Sequence, residues 1–365
     1  MRILCVIDSL GSGGAQRQLV ELATGFKEKG HDVVILTYNY FPFYNPIVEQ
    51  AGVKIECLHE PNYFKRIFRI RWFIRKGKWD IVLSFLETPN FLCELAGLPF
   101  RTWKLVVGER SADPKILSCG KLKLFRWFHL LADYVVANSE ANMVIVRAVN
   151  IFLSDAKCRV IYNIVDFNKW KPSLDYIPGR NKKLKIVVVS SHQYLKNLNG
   201  LLEALSLMSI EEHNKIAIEW YGDSISAPYV DHSIVEAFEK IDRYKLGNII
   251  SLKPATHDIS GIIQVADAVA LFSFHEGLPN SVCEGMACAK PIICSTVSDI
   301  PILLSHDANL LFNPEEPQNI KRALCYMINL SNAELMRIGL INEMIAKEKF
   351  NKEVVVTSYL QLFAK

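Results

Sequence analysis

The feature that most restricts the fold of this 365-residue chain is a pattern that runs twice. Short apolar runs alternate with longer amphipathic ones. Ile3–Ile7, Val33–Leu36, Ile81–Phe85, Leu105–Val107 and Tyr134–Ala137 read as buried strands, with helical stretches such as Gln16–Lys29 and Pro89–Leu95 between some of them. Strands that are apolar throughout belong in a parallel sheet covered by helices on both faces. Between 166 and 183 the pattern gives way to turn-rich, polar sequence, Asp166-Phe-Asn-Lys-Trp-Lys-Pro-Ser and Pro178-Gly-Arg-Asn-Lys-Lys183, which reads as a linker. The alternation then restarts with Ile186–Ser190, Ile216–Tyr221, Ile249–Leu252, Ala268–Phe272 and Pro291–Cys294 as strands, and Gly200–Met208 and Ser281–Cys288 as helices. The fold class is therefore α/β, as two Rossmann-like βα halves over 1–168 and 169–349. Two such halves facing each other enclose a cleft, and ligands of such sheets sit at the carboxyl ends of the strands.

Composition narrows the function classes. Half of the residues are hydrophobic and 22% are charged, which excludes wholesale disorder. No apolar run reaches the ~18 residues of a membrane span. The N-terminal apolar stretch meets Asp8 at once, too early for a signal peptide, so a cytoplasmic location is expected. The nine cysteines form no Cys-x-x-Cys and read as small buried hydrophobes. Charge is uneven: residues 1–170 hold 23 Lys/Arg against 16 Asp/Glu, whereas 171–365 hold 19 against 22. The basic half invites an anionic partner. No zinc-finger, basic-zipper or RNA-recognition signature accompanies it, so nucleic acid is not expected.

Two constellations carry chemistry. The first is Gly11-Ser-Gly13-Gly14-Ala-Gln16, between a strand and a helix. Glycines there let backbone N–H groups approach an anion at a helix N-terminus. A dinucleotide fingerprint fails, because Gln16 stands where the third glycine belongs and Leu36-Thr-Tyr-Asn39 supplies no acid after the second strand. A plain βα turn is the alternative. The second is Ser273-Phe-His-Glu276-Gly277-Leu278-Pro279-Asn280-Ser281-Val-Cys-Glu284-Gly-Met-Ala287, after an apolar strand. Glu276 falls at the strand's carboxyl end, Gly277 permits an unusual backbone angle, and Glu284 is expected in the first turn of the next helix. Backbone N–H groups around Leu278–Ser281 would converge on a phosphate. A capping box, Ser281-x-x-Glu284, with Glu276 an ordinary loop carboxylate, is the competing reading.

Glu276 and Glu284, set in Glu-Gly-x-Pro-Asn-x-x-x-Glu-x-Met-Ala, closely resemble the signature of retaining glycosyltransferases of family 4, which have the two-domain GT-B fold. The resemblance extends from residue 1 to about 313. Gly13-Gly14-Ala-Gln-Arg-Gln-Leu19 resembles the N-terminal glycine loop, and Ala132-Asp-Tyr-Val-Val-Ala-Asn-Ser139 a strand ending in Ser139. Ile161-Tyr-Asn163-Ile164-Val-Asp166 resembles the domain junction, and Lys196-Asn197 the Lys-Asn after the first strand of the second domain. Several positions depart from the pattern. Ser191 and His192 stand where an Arg is usual, and glycines are missing at Ile164, at Ala289 and in Asp307-Ala-Asn-Leu-Leu-Phe312.

The resemblance implies retaining transfer of a sugar from a UDP- or GDP-linked donor to a lipid-linked or oligosaccharide acceptor. It implies Glu276 at the donor sugar, Glu284 at the ribose hydroxyls, Lys196 at the diphosphate, and Gly13, Gly14, Asn197, Gly277, Leu278, Asn280 and Ser281 around the nucleotide. No Asp-x-Asp occurs, so fixed positive charge rather than a metal is expected to offset the leaving diphosphate. Glu109, Arg110 and Ser139 are acceptor-side candidates, an ion pair on a loop being the alternative for Glu109-Arg110. The last helix of GT-B enzymes returns to the first domain, and Val356, Tyr359, Leu360 and Phe363 share a helical face suited to that. A nucleotide-sugar epimerase of the same fold and a non-catalytic nucleotide- or membrane-binding module are the competing functions.

One feature remains. Residues 61–79 hold seven Lys/Arg and no acid. Tyr63, Ile67, Ile70 and Ile74 form a helical stripe for packing, Phe64, Phe68 and Trp72 lie beside it among Arg71 and Arg75, and Lys65, Arg69 and Lys76 face away. The stretch 114–129 is also acid-free, with Lys115, Lys121, Lys123 and Arg126. Aromatics mixed with cations fit an anionic membrane surface, which would make the protein peripheral on the inner face of the membrane; a solvated helix face is the alternative.

Overall fold

The computed structural model describes residues 1–174, 176–177, 183–223, 232–256 and 258–364. The linker expected over 166–183 therefore lies in part, at 175 and 178–182, outside the described residues. The chain divides into two compact units, 1–164 with 350–365, and 165–349.

The first unit holds seven strands: β1 (Arg2–Val6), β2 (Asp32–Thr37), β3 (Lys54–Cys57), β4 (Ile81–Phe85), β5 (Lys104–Glu109), β6 (Tyr134–Ala137) and β7 (Cys158–Val160). They form one parallel sheet in the order β3-β2-β1-β4-β5-β6-β7. Its helices are α1 (Gly14–Glu28), α2 (Asn45–Gln50), α3 (Tyr63–Lys76), α4 (Glu87–Gly97), α5 (Gly120–Trp127) and α6 (Glu140–Val149). The second unit holds β8 (Leu184–Val189), β9 (Ile216–Tyr221), β10 (Ile250–Lys253), β11 (Ala268–Leu271), β12 (Ile292–Ser295) and β13 (Leu311–Phe312), parallel in the order β10-β9-β8-β11-β12-β13. Its helices begin with α7 (Leu198–Ser206), α8 (Ile210–His213), α9 (His232–Arg243), α10 (Ile259–Gln264) and α11 (Asn280–Ala287). They continue with α12 (Ile300–Leu303), α13 (Pro317–Ile328) and α14 (Asn332–Phe350), and the chain closes on α15 (Lys352–Ala364). Both sheets are Rossmann-like, and the α/β class follows.

The central strands are buried on both faces because they are almost wholly apolar; β4 is buried at all five positions, its one polar residue, Ser84, donating to Asn90 at 2.8 Å. One core of the first unit sits under α1, α2 and α15, and a second, on the opposite face, under α3, α4 and α6. In the second unit a large core lies under α7, α9 and α13, and Val187, Val269, Leu271, Val282 and Met286 are buried outside it. In α15 Val356, Tyr359 and Phe363 are buried, and Leu360 is half-buried. Tyr359 and Phe363 pack on Phe26 of α1 at 6.3 and 5.4 Å between ring centroids. Gly25 makes this approach feasible, since a Cβ there would stand 2.5 Å from Val356 Cγ2. The C-terminal helix thus completes the first unit.

The edge strands β3, β7 and β13 lie outside the apolar runs that the sequence marks. Lys54-Ile-Glu-Cys57 alternates polar and apolar residues and is only half-covered, as suits an edge. In α3, Ile70 and Ile74 are buried as the helical stripe requires, but Tyr63 at its head is 42% exposed.

Candidate active site

In the second unit β8 and β11 are neighbours, with Ala268 opposite Ile186, so the loops that follow them emerge side by side. The β8 loop ends in a tight turn, Tyr194–Lys196, and Asn197 then adopts a left-handed conformation, φ 59°. Asn is one of the few residues that tolerates this. Its side chain accepts from the Gly200 N–H at 3.1 Å, capping α7, and donates to the Pro314 carbonyl at 2.7 Å. Asn197 therefore fixes the turn that carries Lys196.

The β11 loop brings Glu276 to that turn. Lys196 Nζ donates to Glu276 Oε1 at 2.6 Å, and the Ser273 hydroxyl donates to the same oxygen at 2.7 Å. The Phe274 N–H donates to the Leu195 carbonyl at 3.0 Å and the rings of Tyr194 and Phe274 lie 5.4 Å apart, so the two loops are joined by backbone as well as by charge. Ser295, at the end of β12, donates to the Ser273 carbonyl at 2.8 Å, and Ser298 donates to the Gly277 carbonyl. Glu276 is thus held from both flanking strands. The Gly277 carbonyl is held by the Ser298 hydroxyl.

Helix α11 starts one residue earlier than the sequence pattern indicated, with Pro279 at its N-cap and no side-chain cap. Ser281 is the second helical residue, so the capping box does not form. Glu284 falls in the second turn rather than the first and is 3% exposed. Leu278 and Ser281 are buried and Asn280 half-buried. A helix end without a side-chain cap keeps its partial positive charge for an anion. His192, where the usual Arg is missing, is buried, with its ring 6.4 Å from that of Trp220, and its backbone N–H donates to the Asp223 carbonyl at 3.2 Å. Burial lowers its pKa against the pull of Asp223, so it is not a ready substitute for a guanidinium. Among the described residues, no three His, Cys, Asp or Glu side chains gather as a metal site.

The first-unit candidates have definite places. Gly13 caps α1 and Gly14 opens it; both are exposed. A Cβ on Gly13 would strike Gln16 Oε1, whose amide nitrogen reaches Asp8 at 3.0 Å, so the glycine also makes room for that contact. Ser139 is fully buried and caps α6 through the Asn142 N–H at 3.1 Å. Glu109 and Arg110 do not pair with each other. Glu109 is buried at the end of β5, with one oxygen 2.6 Å from Arg126 and the other 2.9 Å from His129. The far nitrogen of His129 lies 2.6 Å from the buried Glu94. Burial would lower the His129 pKa, but the two carboxylates outweigh it and push it up to about 9. Burial likewise opposes the Glu109 charge, yet Arg126 and His129 bring its pKa below the usual value, while burial leaves Glu94 above it. Arg110 stacks on Phe85 at 3.7 Å and donates to Tyr359 Oη at 2.8 Å and Asn163 Oδ1 at 3.2 Å. It ties β5 to α15 and to the junction segment.

The sequence reading missed Gln18. This buried side chain donates to the Ile164 carbonyl at 2.9 Å and accepts from the Ile164 N–H at 2.6 Å. It holds the last residue of the unit's first segment by both backbone groups. The signal was present, as an amide on the inner face of α1 within Gly13–Leu19.

Comparisons with known proteins agree with this architecture. The model of Glycosyltransferase Family 4 matches residues 12–169, and that of Glycosyl transferases group 1 matches 183–329. The chain is 23% identical over 303 residues to a Campylobacter jejuni enzyme, covering 78% of this chain and 77% of that one. That relative is named GalNAc-alpha-(1->4)-GalNAc-alpha-(1->3)-diNAcBac-PP-undecaprenol alpha-1,4-N-acetyl-D-galactosaminyltransferase. This chain is also 22% identical over 337 residues to the amylovoran biosynthesis glycosyltransferase AmsD of Erwinia amylovora, covering 87% and 90% of the two chains. Among solved structures, Anabaena HepE in complex with UDP superposes with a TM-score of 0.86 at 19% identity, over 100% of both chains.

Proposed function

This chain belongs to the glycosyltransferases of family 4, with the GT-B fold, and on that premise we propose that it moves a sugar from a nucleotide-diphosphate donor to a lipid-linked or oligosaccharide acceptor with retention of anomeric configuration. The observation that carries the reading is the Lys196–Glu276 pair, built by adjacent loops at the carboxyl ends of β8 and β11. There one cation and one carboxylate stand where ligands of such sheets bind. In this reading the Lys196 ammonium meets the diphosphate, Glu276 meets the donor sugar, and Glu284 accepts from the ribose hydroxyls. The α11 N-terminus adds its partial charge to the phosphate side, with no metal required. As the bond from the anomeric carbon to phosphate breaks, negative charge grows on the leaving diphosphate. The acceptor oxygen bonds to the same face of that carbon, and its proton passes to the leaving phosphate.

The relatives lend support to the acceptor and the pathway. One is named for a diphosphoundecaprenol-linked acceptor and another for amylovoran biosynthesis, so a cell-surface polysaccharide or glycoconjugate is the product class we assign. We place the reaction in the cytoplasm; no described helix is long and apolar enough to cross a membrane. The test is thermal shift against UDP- and GDP-sugars, followed by proton NMR of the first turnovers with the stabilising donor. Stabilisation by one donor and a product anomer matching it are expected. Absence of any nucleotide effect, or an inverted anomer, would overturn the reading.

A further inference from the structure

Helix α14 is apolar on two sides. Its inner side, with Leu335, Ile338, Ala346 and Phe350, is buried, and the first two belong to the large core of the second unit. Asn342, fully buried, donates to the Lys290 carbonyl at 2.8 Å. Gly339 lies so close to the preceding residue of that loop that a Cβ would strike the Ala289 carbonyl oxygen. These contacts fix α14 beside the residues that lead into β12, at the amino end of the sheet. The loops that carry Lys196 and Glu276 follow β8 and β11 and so lie at the opposite, carboxyl end.

The outer side of α14 carries Met336, Leu340 and Met344, which are 51%, 58% and 63% exposed. Spaced four apart, they stand in one row along the helix. Single apolar side chains at a surface are ordinary, but a row of three long ones, on a helix already buried along its other side, marks a contact face. A cavity of about 140 Å³ opens beside the row, walled by Ala289, Lys290, Pro291, Leu335, Met336 and Leu340 among others. One face thus offers both a ridge and a hole.

Charge indicates the partner. α14 contains three acids, Glu334, Glu343 and Glu348, and three bases, Arg337, Lys347 and Lys349, so a basic or an acidic partner would meet no net counter-charge and a second copy meets no net repulsion. At ~100° per residue, Arg337 and Glu348 stand about 60° and 80° round the helix from Leu340, on the same flank. An antiparallel twofold crossing centred on Leu340 puts that flank of one copy beside the same flank of the other. Glu348 of the second copy then runs toward Arg337. Helical side chains lean toward their own N-terminus, so these two lean toward each other. The same crossing sets Met344 of the second copy against Met336, and rows of this spacing interlock when helices cross at about −50°.

We propose that two copies of this chain associate through α14, in an antiparallel twofold contact on the end of the second unit remote from the Lys196–Glu276 loops. The contact is isologous, each copy supplying ridge and hole at once. A single helix crossing covers less than the roughly 1,000 Å² of a strong interface, so the dimer is weak and concentration-dependent. The inference does not depend on the glycosyl-transfer reading, and its test measures no activity.

Sedimentation velocity of the full chain, from about 5 to about 200 μM, decides it, because a dimer of this kind follows mass action. A monomer–dimer equilibrium is expected. Leu340→Glu with Met344→Glu should raise the dissociation constant by about tenfold or more, with circular dichroism unaltered because both side chains are exposed. Arg337→Glu should weaken the dimer severalfold, and Arg337→Glu with Glu348→Arg in the same chain should restore it, as an antiparallel pairing requires. Phe68→Ser with Trp72→Ser, which removes exposed aromatics from the first unit, should leave it unchanged. A monomer at every concentration, a dimer indifferent to Leu340→Glu with Met344→Glu, no rescue by the reversed pair, or dissociation by the aromatic variant would overturn the proposal.

Discussion

Glu276→Gln is the most informative single change, because the structure predicts that it moves nucleotide affinity and turnover in opposite directions. Lys196 and Glu276 are 2.6 Å apart, with side chains 20% and 15% exposed. A diphosphate that recruits Lys196 must share it with Glu276, and the carboxylate also repels the incoming anion. Partly exposed ion pairs contribute ~0.5–1 kcal/mol. Removing the carboxylate therefore frees Lys196 and should tighten binding of the free nucleoside diphosphate by about two- to fivefold. Gln keeps the shape and still accepts from Ser273, so the loop should persist. Turnover should nevertheless fall by at least ~100-fold, the scale of a lost electrostatic contact at a reacting centre. Lys196→Ala should weaken the same nucleotide by ~1.5–3 kcal/mol, the range for hydrogen bonds to charged groups. Isothermal titration with UDP and GDP, beside initial rates with the matching nucleotide sugar, measures both. Weaker nucleotide binding in Glu276→Gln, or unchanged turnover, would refute the competition argument.

Three further outcomes are expected. Activity should survive EDTA, with Lys196 and the α11 N-terminus facing the diphosphate; complete loss reversed by a divalent ion would exclude this arrangement. Arg126→Met should destabilise the first unit by ~3–5 kcal/mol, because the buried Glu109 and Glu94 are then left to share the His129 cation; in a unit of this size that is about 6–20 °C in calorimetry, and a shift under ~2 °C would contradict the role. His129 has a folded pKa raised to about 9 from 6.5, so its stabilisation is complete below about 6.5 and is lost as pH rises through 9. About 2.5 units correspond to ~3 kcal/mol. Urea unfolding at pH 6.5 and pH 9.5 should show that decline in the wild type and much less of it in His129→Asn.

What the sequence revealed follows from how local each signal is. The central strands of both halves were legible because a run such as Ile81–Phe85 is too short for a helix and carries no helical period. Glu276 was legible as a carboxylate at a strand's carboxyl end, and Lys196 through the resemblance of Lys196-Asn197 to the family pattern. Their mutual contact was not, since it depends on β8 and β11 being neighbours across 80 positions. The same limit hid the partners of Glu109, Arg110 and Gln18, the last of which meets Ile164 across 146 positions. Arg71 and Arg75 read as surface charge from the helical wheel, but the carbonyls they hold lie 21 to 27 residues away. Edge strand β3 and the exposure of Tyr63 escaped for a different reason: both sit where burial is partial and periodicity carries little information.

The local and non-local parts of the site have separate duties. Asn197 and Pro314 fix the turn, Ser295 and Ser298 fix the β11 loop, and the Phe274–Leu195 hydrogen bond joins the two. Lys196 and Glu276 therefore stand on one braced platform rather than on independent loops. A charged pair so held loses little conformational entropy when a ligand arrives, because its backbone is ordered beforehand. The pair is also electrically neutral without ligand, which spares the fold an unpaired partly buried charge. In the proposed reaction, donor binding redistributes an existing contact: the cation is expected to turn toward phosphate and the carboxylate toward the sugar. Both halves of a nucleotide sugar are needed to satisfy both partners, so a free sugar or a free phosphate should each engage the platform incompletely.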